Sequence, residues 1–146
     1  MKISTRSRYG VRMMADLADN YGKAPVFLKD IARREDISEK YLSIIVISLR
    51  SAGLIQSTRG AHGGYVLIRP PEQISVKDIY DALEGDISLV DCVRNPQDCL
   101  RASTCPTRDV WSCVSDKISE TLGSITLADL VQERRQKAEN NLKSNI

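Results

Sequence analysis

Three of the four cysteines in this 146-residue chain fall within one stretch, "CVRNPQDCLRASTC" at residues 92–105, and Cys113 follows shortly after. Thiols at this density can form disulfides, hold zinc, cycle as a redox pair, or cradle an iron–sulfur cluster. The spacing is C-x6-C-x5-C, then x7 to Cys113. Zinc fingers and ribbons favour short C-x2–4-C knuckles, and none is present. A thioredoxin-like pair needs C-x-x-C, also absent. The opening residues hold no apolar stretch of signal-peptide length, and no run approaches a membrane span, so a cytoplasmic protein is expected, where structural disulfides are rare. Three thiolates on a flexible loop suit a cluster, which is held mainly by cysteine. Cys105 falls where a helix begins, and the helix dipole there favours thiolate. Arg94, Arg101 and Arg108 would offset negative charge or simply be solvated.

A fourth ligand is less clear. Cys113 lies eight residues after Cys105. On one helix that is about 12 Å along the axis, too far for one small cluster unless the partner chain supplies it or the first turn unwinds. Otherwise Cys113 is a small apolar residue in a helix seam. Asp91, Asp98 and Asp109 are weaker, oxygen-donor alternatives. The only histidine, His62, is remote in sequence. No imidazole stands near the thiols to act as a base, which argues against a thiol enzyme, and nothing resembles a phosphate loop or a hydrolase elbow.

The elements that must position this loop are legible from periodicity. "SRYGVRMMADLADNY" has Tyr9, Met13, Met14, Leu17 and Tyr21 at helical spacing and predicts a helix over about 7–21. "VFLKDIARRED" predicts a short second helix with Leu28, Ile31 and Ala32 on one face. Ser38 caps a third helix whose buried stripe is Leu42, Ile45, Val46 and Leu49, ending at Gly53. The two are joined by "DIS", which is helix-turn-helix spacing. Two β-prone runs, "LIQST" and "YVLI", flank a turn containing Gly60, Gly63 and Gly64, and a hairpin in this place is a wing. "RPPEQ" breaks the chain. "ISVKDIYDALEG" predicts a fourth helix. The cysteine loop follows without periodicity. "CPTRDVWSCVSDKISETLG" predicts a long helix with Val110, Trp111, Val114, Ile118 and Leu122 near heptad spacing, fit for dimerisation, with packing on its own domain as the plainer reading. "TLADLVQERRQKAEN" predicts a last helix, and "NLKSNI" a fraying tail.

The fold class expected is therefore mainly α with a small β-hairpin wing, a winged helix-turn-helix plus a long C-terminal dimerisation helix. Residues 1–85 form the winged domain, 86–105 the cysteine loop, 106–138 the dimerisation and C-terminal helices, and 139–146 a disordered tail. Net charge is only +2, but it divides unevenly: residues 1–70 carry 12 Lys and Arg against 6 Asp and Glu, a net of +6. The basic half is the face for nucleic acid. On the third helix Lys40, Ser43, Ile47 and Arg50 point outward as candidate base-edge contacts, and Ser38 and Tyr41 near its start suit phosphates. The wing tip offers Arg59 and His62 on a glycine-rich turn that lets backbone approach DNA. Ile44 and Ile47 are unusually apolar for such a helix. They would touch thymine methyls, or pack inward if the helix is rotated.

These residues carry a resemblance. "MKISTRSRYGVRMMADLA", "ISEKYLSIIVISLRSAGLIQSTRGAHGGYVL", "ISVKDIYDALEG" and "SITLADLV" make the chain, over about residues 1–133, similar to the BadM/IscR family of bacterial winged-helix regulators. The resemblance implies a homodimeric transcription regulator, not an enzyme, that binds a palindromic or pseudo-palindromic operator on double-stranded DNA. It implies an iron–sulfur cluster, 2Fe–2S in preference to 4Fe–4S, on Cys92, Cys99 and Cys105, modulating control of cluster-assembly or redox-stress genes as a repressor or redox sensor. The alternative is a cluster-free regulator of the same fold, controlled by cysteine oxidation or by a partner protein. The chain departs from the family pattern in three places. Arg108 stands where some members place a ligand histidine, Arg8 near where others place a first-helix acid, and Ser43 where some carry a glutamate tied to cluster-dependent site choice.

Overall fold

The computed structural model describes residues 1–146. Helix α1 spans Thr5–Asp19, started by Ser4, whose hydroxyl accepts from the Ser7 N–H at 3.0 Å, and it buries Met13, Met14 and Leu17. Helix α2, Leu28–Glu35, ends at Asp36, which adopts left-handed backbone (φ 51°) and turns Ile37 into the core. Helix α3, Glu39–Ser51, is capped by Ser38, which accepts from the Tyr41 N–H at 3.3 Å. Its buried residues are Leu42, Ile45, Val46 and Leu49, the stripe its periodicity predicts. Strands β1, Ile55–Thr58, and β2, Gly64–Leu67, pair antiparallel from Ile55–Leu67 to Thr58–Gly64. The helix-turn-helix and its wing are thus present, and the fold is mainly helical with one small hairpin, as expected.

A 3-10 turn at Pro71–Gln73 leads into α4, Val76–Glu84. The cysteine stretch holds a single helical turn, α5, at Asp91–Arg94 and a 3-10 turn at Pro96–Asp98, where no periodicity predicts either. Helix α6 runs Pro106–Ser124 and α7 Leu127–Ser144. Residues 139–144, expected to lie in a disordered tail, continue α7.

The domain boundary at residue 85 does not divide the core. Leu127 and Val131 of α7 sit in the same buried cluster of 19 residues as Met13, Ile31, Leu42 and Ile79. The starts of α4 and α7 lie side by side, since the Val76 N–H donates to the Ile125 carbonyl (2.8 Å) and the Leu127 N–H to the Ile74 carbonyl (2.9 Å). Each start also carries a capping box, Ser75 with Asp78 and Thr126 with Asp129. A buried ionic set joins α1, α2 and α7. Asp16, only 2% exposed, accepts two bonds of 2.7 Å from Arg34. The buried Glu35 accepts from Arg12 (3.3 Å) and Arg134 (2.9 Å), and Arg134 also reaches Asp19 at 3.2 Å. The desolvation cost of burying Glu35 and Asp16 is offset by these guanidinium partners.

Two of the wing glycines, Gly63 and Gly64, are required by close packing. Val26 and Tyr65 exchange backbone bonds of 3.0 and 2.8 Å, pinning the wing to the segment ahead of α2. Gly64 (φ +142°) lies where a Cβ would be 2.5 Å from the Val26 carbonyl oxygen, and Gly63 where one would be 2.5 Å from that of Thr58. Gly64→Ala is therefore expected to cost about 1–3 kcal/mol, read as a lower midpoint in denaturant unfolding. Unchanged stability would contradict this placement of the wing.

Candidate nucleic-acid interface and thiol loop

The outer face of α3 carries Lys40, Ser43, Ile44, Ile47, Arg50 and Ser51, all exposed. Both isoleucines face solvent, so the alternative in which the helix is rotated to pack them inward is excluded. The Ser43 hydroxyl donates back to the Lys40 carbonyl at 2.6 Å, so its proton is committed within the helix. Ser38 spends an acceptor on its cap. Tyr41 is half-buried, its ring edge-on to Tyr9 at 5.7 Å, and Arg12 lies 5.6 Å over Tyr9. Tyr41 thus buttresses the helix start as well as lining the face. Arg59 and His62 sit exposed in the five-residue turn between the strands. One link that sequence reading missed is Arg6, which donates to the Ser48 hydroxyl and ties α1 to the reading helix. A serine on the half-exposed flank of an amphipathic helix gives no sequence signal for such a contact.

The thiol loop is built differently. All four cysteines are unpaired; Cys92, Cys99 and Cys105 are half-buried and Cys113 is exposed. The loop is held by side chains reaching to backbone. Arg94 donates to the Asp86 carbonyl (2.6 Å), and Arg108 donates through Nε to the Cys92 carbonyl (2.9 Å). Arg108 is therefore a strut between the loop and the start of α6, and not only a solvated cation. Ser115, buried in α6, accepts from the Leu89 N–H at 3.3 Å and donates to the Trp111 carbonyl at 2.8 Å, a second tie that sequence reading missed. Cys105 stands at the N-cap of α6. Its thiol is pushed below the ordinary value, first by the Thr107 hydroxyl 3.1 Å away and then by the Arg108 and Thr107 N–H groups.

Whether these residues suit an iron–sulfur cluster divides into kind and place. In kind they fit, with three unpaired thiols on one loop and one of them predisposed to thiolate. In place they are not gathered: no three Cys, His, Asp or Glu side chains converge closely enough to hold a metal ion. Asp91, Asp98 and Asp109 thus do not complete a set in this conformation.

A three-helix head with a cationic outer helix face and a hairpin wing defines a winged-helix DNA-binding protein. Residues 3–133 match the family model described as "Rrf2: Iron-dependent Transcriptional regulator". Protein rrf2 of Nitratidesulfovibrio vulgaris is 44% identical over 133 residues, 91% of this chain and 89% of that protein. The solved structure of CymR, the global cysteine regulator of B. subtilis, is 43% identical, covers 91% of this chain and 98% of its own, and superposes with a TM-score of 0.77. T. potens IscR is 42% identical, covering 92% and 88%, with a TM-score of 0.76. The chain belongs to the Rrf2 family of DNA-binding transcription regulators, which are not enzymes.

The lowered Cys105 thiol makes a direct prediction. With limiting iodoacetamide at neutral pH under reducing, anaerobic conditions, Cys105 is alkylated ahead of Cys99 and Cys113, and Thr107→Val slows it several-fold, read by peptide mass spectrometry. First labelling at Cys113 would contradict the assignment.

Proposed function

We propose that the protein is a homodimeric, sequence-specific regulator whose DNA binding is modulated by an iron–sulfur cluster held by Cys92, Cys99 and Cys105. The observation that carries this reading is the placement of three unpaired thiols on a loop of short turns, between the reading domain and the long helix α6. Sequence-specific contacts are assigned to Lys40, Ser43 and Arg50 on α3, phosphate contacts to Ser38 and Tyr41, and minor-groove contacts to Arg59 and His62. The dimer seam is assigned to α6, where Val110, Trp111 and Val114 stay exposed on one 19-residue helix. An apolar stripe of this kind needs a partner, and a second copy of the helix supplies a matching one.

When bound, a cluster would supply a labile, redox-active centre, and Cys92, Cys99 and Cys105 would hold it. The residues of the chain do the rest. Cys92, Cys99 and Cys105 lie ungathered here, so holding one centre would require contraction of the loop that Arg108 braces through the Cys92 carbonyl. That contraction pulls on the start of α6. Because α6 forms the dimer seam, its shift resets the spacing of the two α3 helices, which must meet half-sites about one DNA turn apart. The loop state thereby shifts the population between binding-competent and incompetent dimers.

A second reading keeps the fold and the reading face but dispenses with iron. It is favoured by the likeness to the global cysteine regulator CymR. In it the same cysteines respond to oxidation, or a partner protein sets DNA affinity. Anaerobic purification decides between the two. The cluster reading predicts a coloured protein with stoichiometric iron and sulfide that is lost in Cys92→Ala, Cys99→Ala and Cys105→Ala, measured by absorption and Mössbauer spectroscopy. It also predicts that Cys113→Ala keeps its colour. A colourless, iron-free protein with full DNA binding would leave the second reading standing.

A further inference from the structure

The outer face of α3 lacks what base-reading helices usually present at their centre. Successive residues rotate by about 100° around a helix. With Leu42, Ile45, Val46 and Leu49 buried, the residues directly opposite are Lys40, Ile44, Ile47 and Ser51, with Ser43 and Arg50 alongside. The middle of the face is thus two isoleucines at i and i+3, 50% and 65% exposed, neighbours on one ridge of the helix. Single exposed apolar residues are ordinary; a β-branched pair at the centre of a cation-flanked helix is not. The nearest hydroxyl, on Ser43, donates to the Lys40 carbonyl at 2.6 Å and so meets a base edge as an acceptor. Lys40 and Arg50 bracket the pair at either end, and the only carboxylate of the helix, Glu39, sits in its first turn. That charge pattern matches a phosphate-lined groove.

We propose that Ile44 and Ile47 are specificity-determining residues that read thymine 5-methyl groups in the major groove. Among base-edge features there, the thymine methyl is the distinctive apolar one. Isoleucine offers no hydrogen bond to the amino groups of adenine and cytosine or to the acceptors of guanine, so those bases at the facing positions leave polar edges against hydrocarbon. The operator accordingly carries thymine where these side chains point, beside the contacts assigned to Lys40 and Arg50. The inference rests on the assignment of α3 as the DNA-reading helix and adds the chemistry by which it discriminates.

The test uses the full-length protein and a pool of duplexes with a randomised centre. Sequences enriched by the wild-type protein are remade with each thymine replaced in turn by uracil, which removes only the methyl, and affinities are measured by fluorescence anisotropy. The expected result is about fourfold weaker binding for each contacted methyl lost, the fold-change for one buried carbon. Ile44→Ala or Ile47→Ala binds the thymine duplex correspondingly less well and no longer distinguishes uracil at the position it faces. Both side chains are exposed on a helix, so alanine keeps the fold. Equal binding of thymine and uracil duplexes at every position overturns the proposal while leaving DNA binding intact. That is the outcome expected if the ridge instead docks a protein. Alanine variants that keep full uracil sensitivity overturn it as well. A pool from which nothing enriches overturns the assignment of α3 itself, and this inference with it.

Discussion

Everything beyond α4 returns to the point where α4 began. The paired backbone bonds between Val76 and Ile125 and between Leu127 and Ile74 bring residues fifty positions apart into one junction. The two capping boxes sit on either side of it. Residues 76–125 are therefore a closed excursion with pinned ends: one helix out, the thiol loop, and one long helix back. A change in the length or order of the loop cannot dissipate at a free end. It is taken up by α6 or passed to α4 and α7, and both of those lie in the core that supports α3.

The buried ionic set makes that core answer as a unit. Glu35 is at the end of α2, in the helix-turn-helix, yet one of its partners is Arg134 on α7, which also holds Asp19 of α1. Separating α7 from the head would take away one of the two guanidinium partners of the buried Glu35 and leave it Arg12 alone. The last helix is thus fastened to the reading head, while α6 leans mainly on α4 and on the Ser115 tie to the loop's approach. Rigidity on one side and a thinly held loop on the other is the arrangement that a switch of DNA affinity requires. The side-chain bonds that brace the loop, from Arg94 and Arg108 to carbonyl groups, are few and partly exposed.

Most of the head was legible in the sequence because its helices are amphipathic and short-range rules fix their ends. The stripe Leu42, Ile45, Val46 and Leu49 and the cap at Ser38 follow from periodicity and one serine. The start of α1 was set two residues late because "ISTRS" offers several capping hydroxyls, and only tertiary contacts select Ser4, which also donates to Glu84 of α4. The turns at Asp91–Arg94 and Pro96–Asp98 were illegible, since backbone bonds, from Asn95 to the Asp91 carbonyl and from Cys99 to that of Pro96, close them rather than an apolar pattern. The return of α7 to the core was hidden for another reason: Arg134 and Glu35 are 99 residues apart, and no local rule pairs them. The candidate site was legible in its residue types and not in its arrangement. The thiols were found by spacing, their separation only by structure. Ile44 and Ile47 stood out as anomalies, and only the observed exposure showed which way they face.

The central claim is that the state of the thiol loop sets DNA affinity through a dimer whose heads move with α6. The most direct measurement is anisotropy titration of one enriched duplex with a single anaerobic preparation, divided into cluster-loaded and cluster-free halves at the same salt concentration. The account predicts at least a severalfold difference in affinity between the halves, abolished in Cys92→Ala, where the loop cannot be drawn in. Equal affinity for that duplex, with equal preference among others from the same pool, would contradict it.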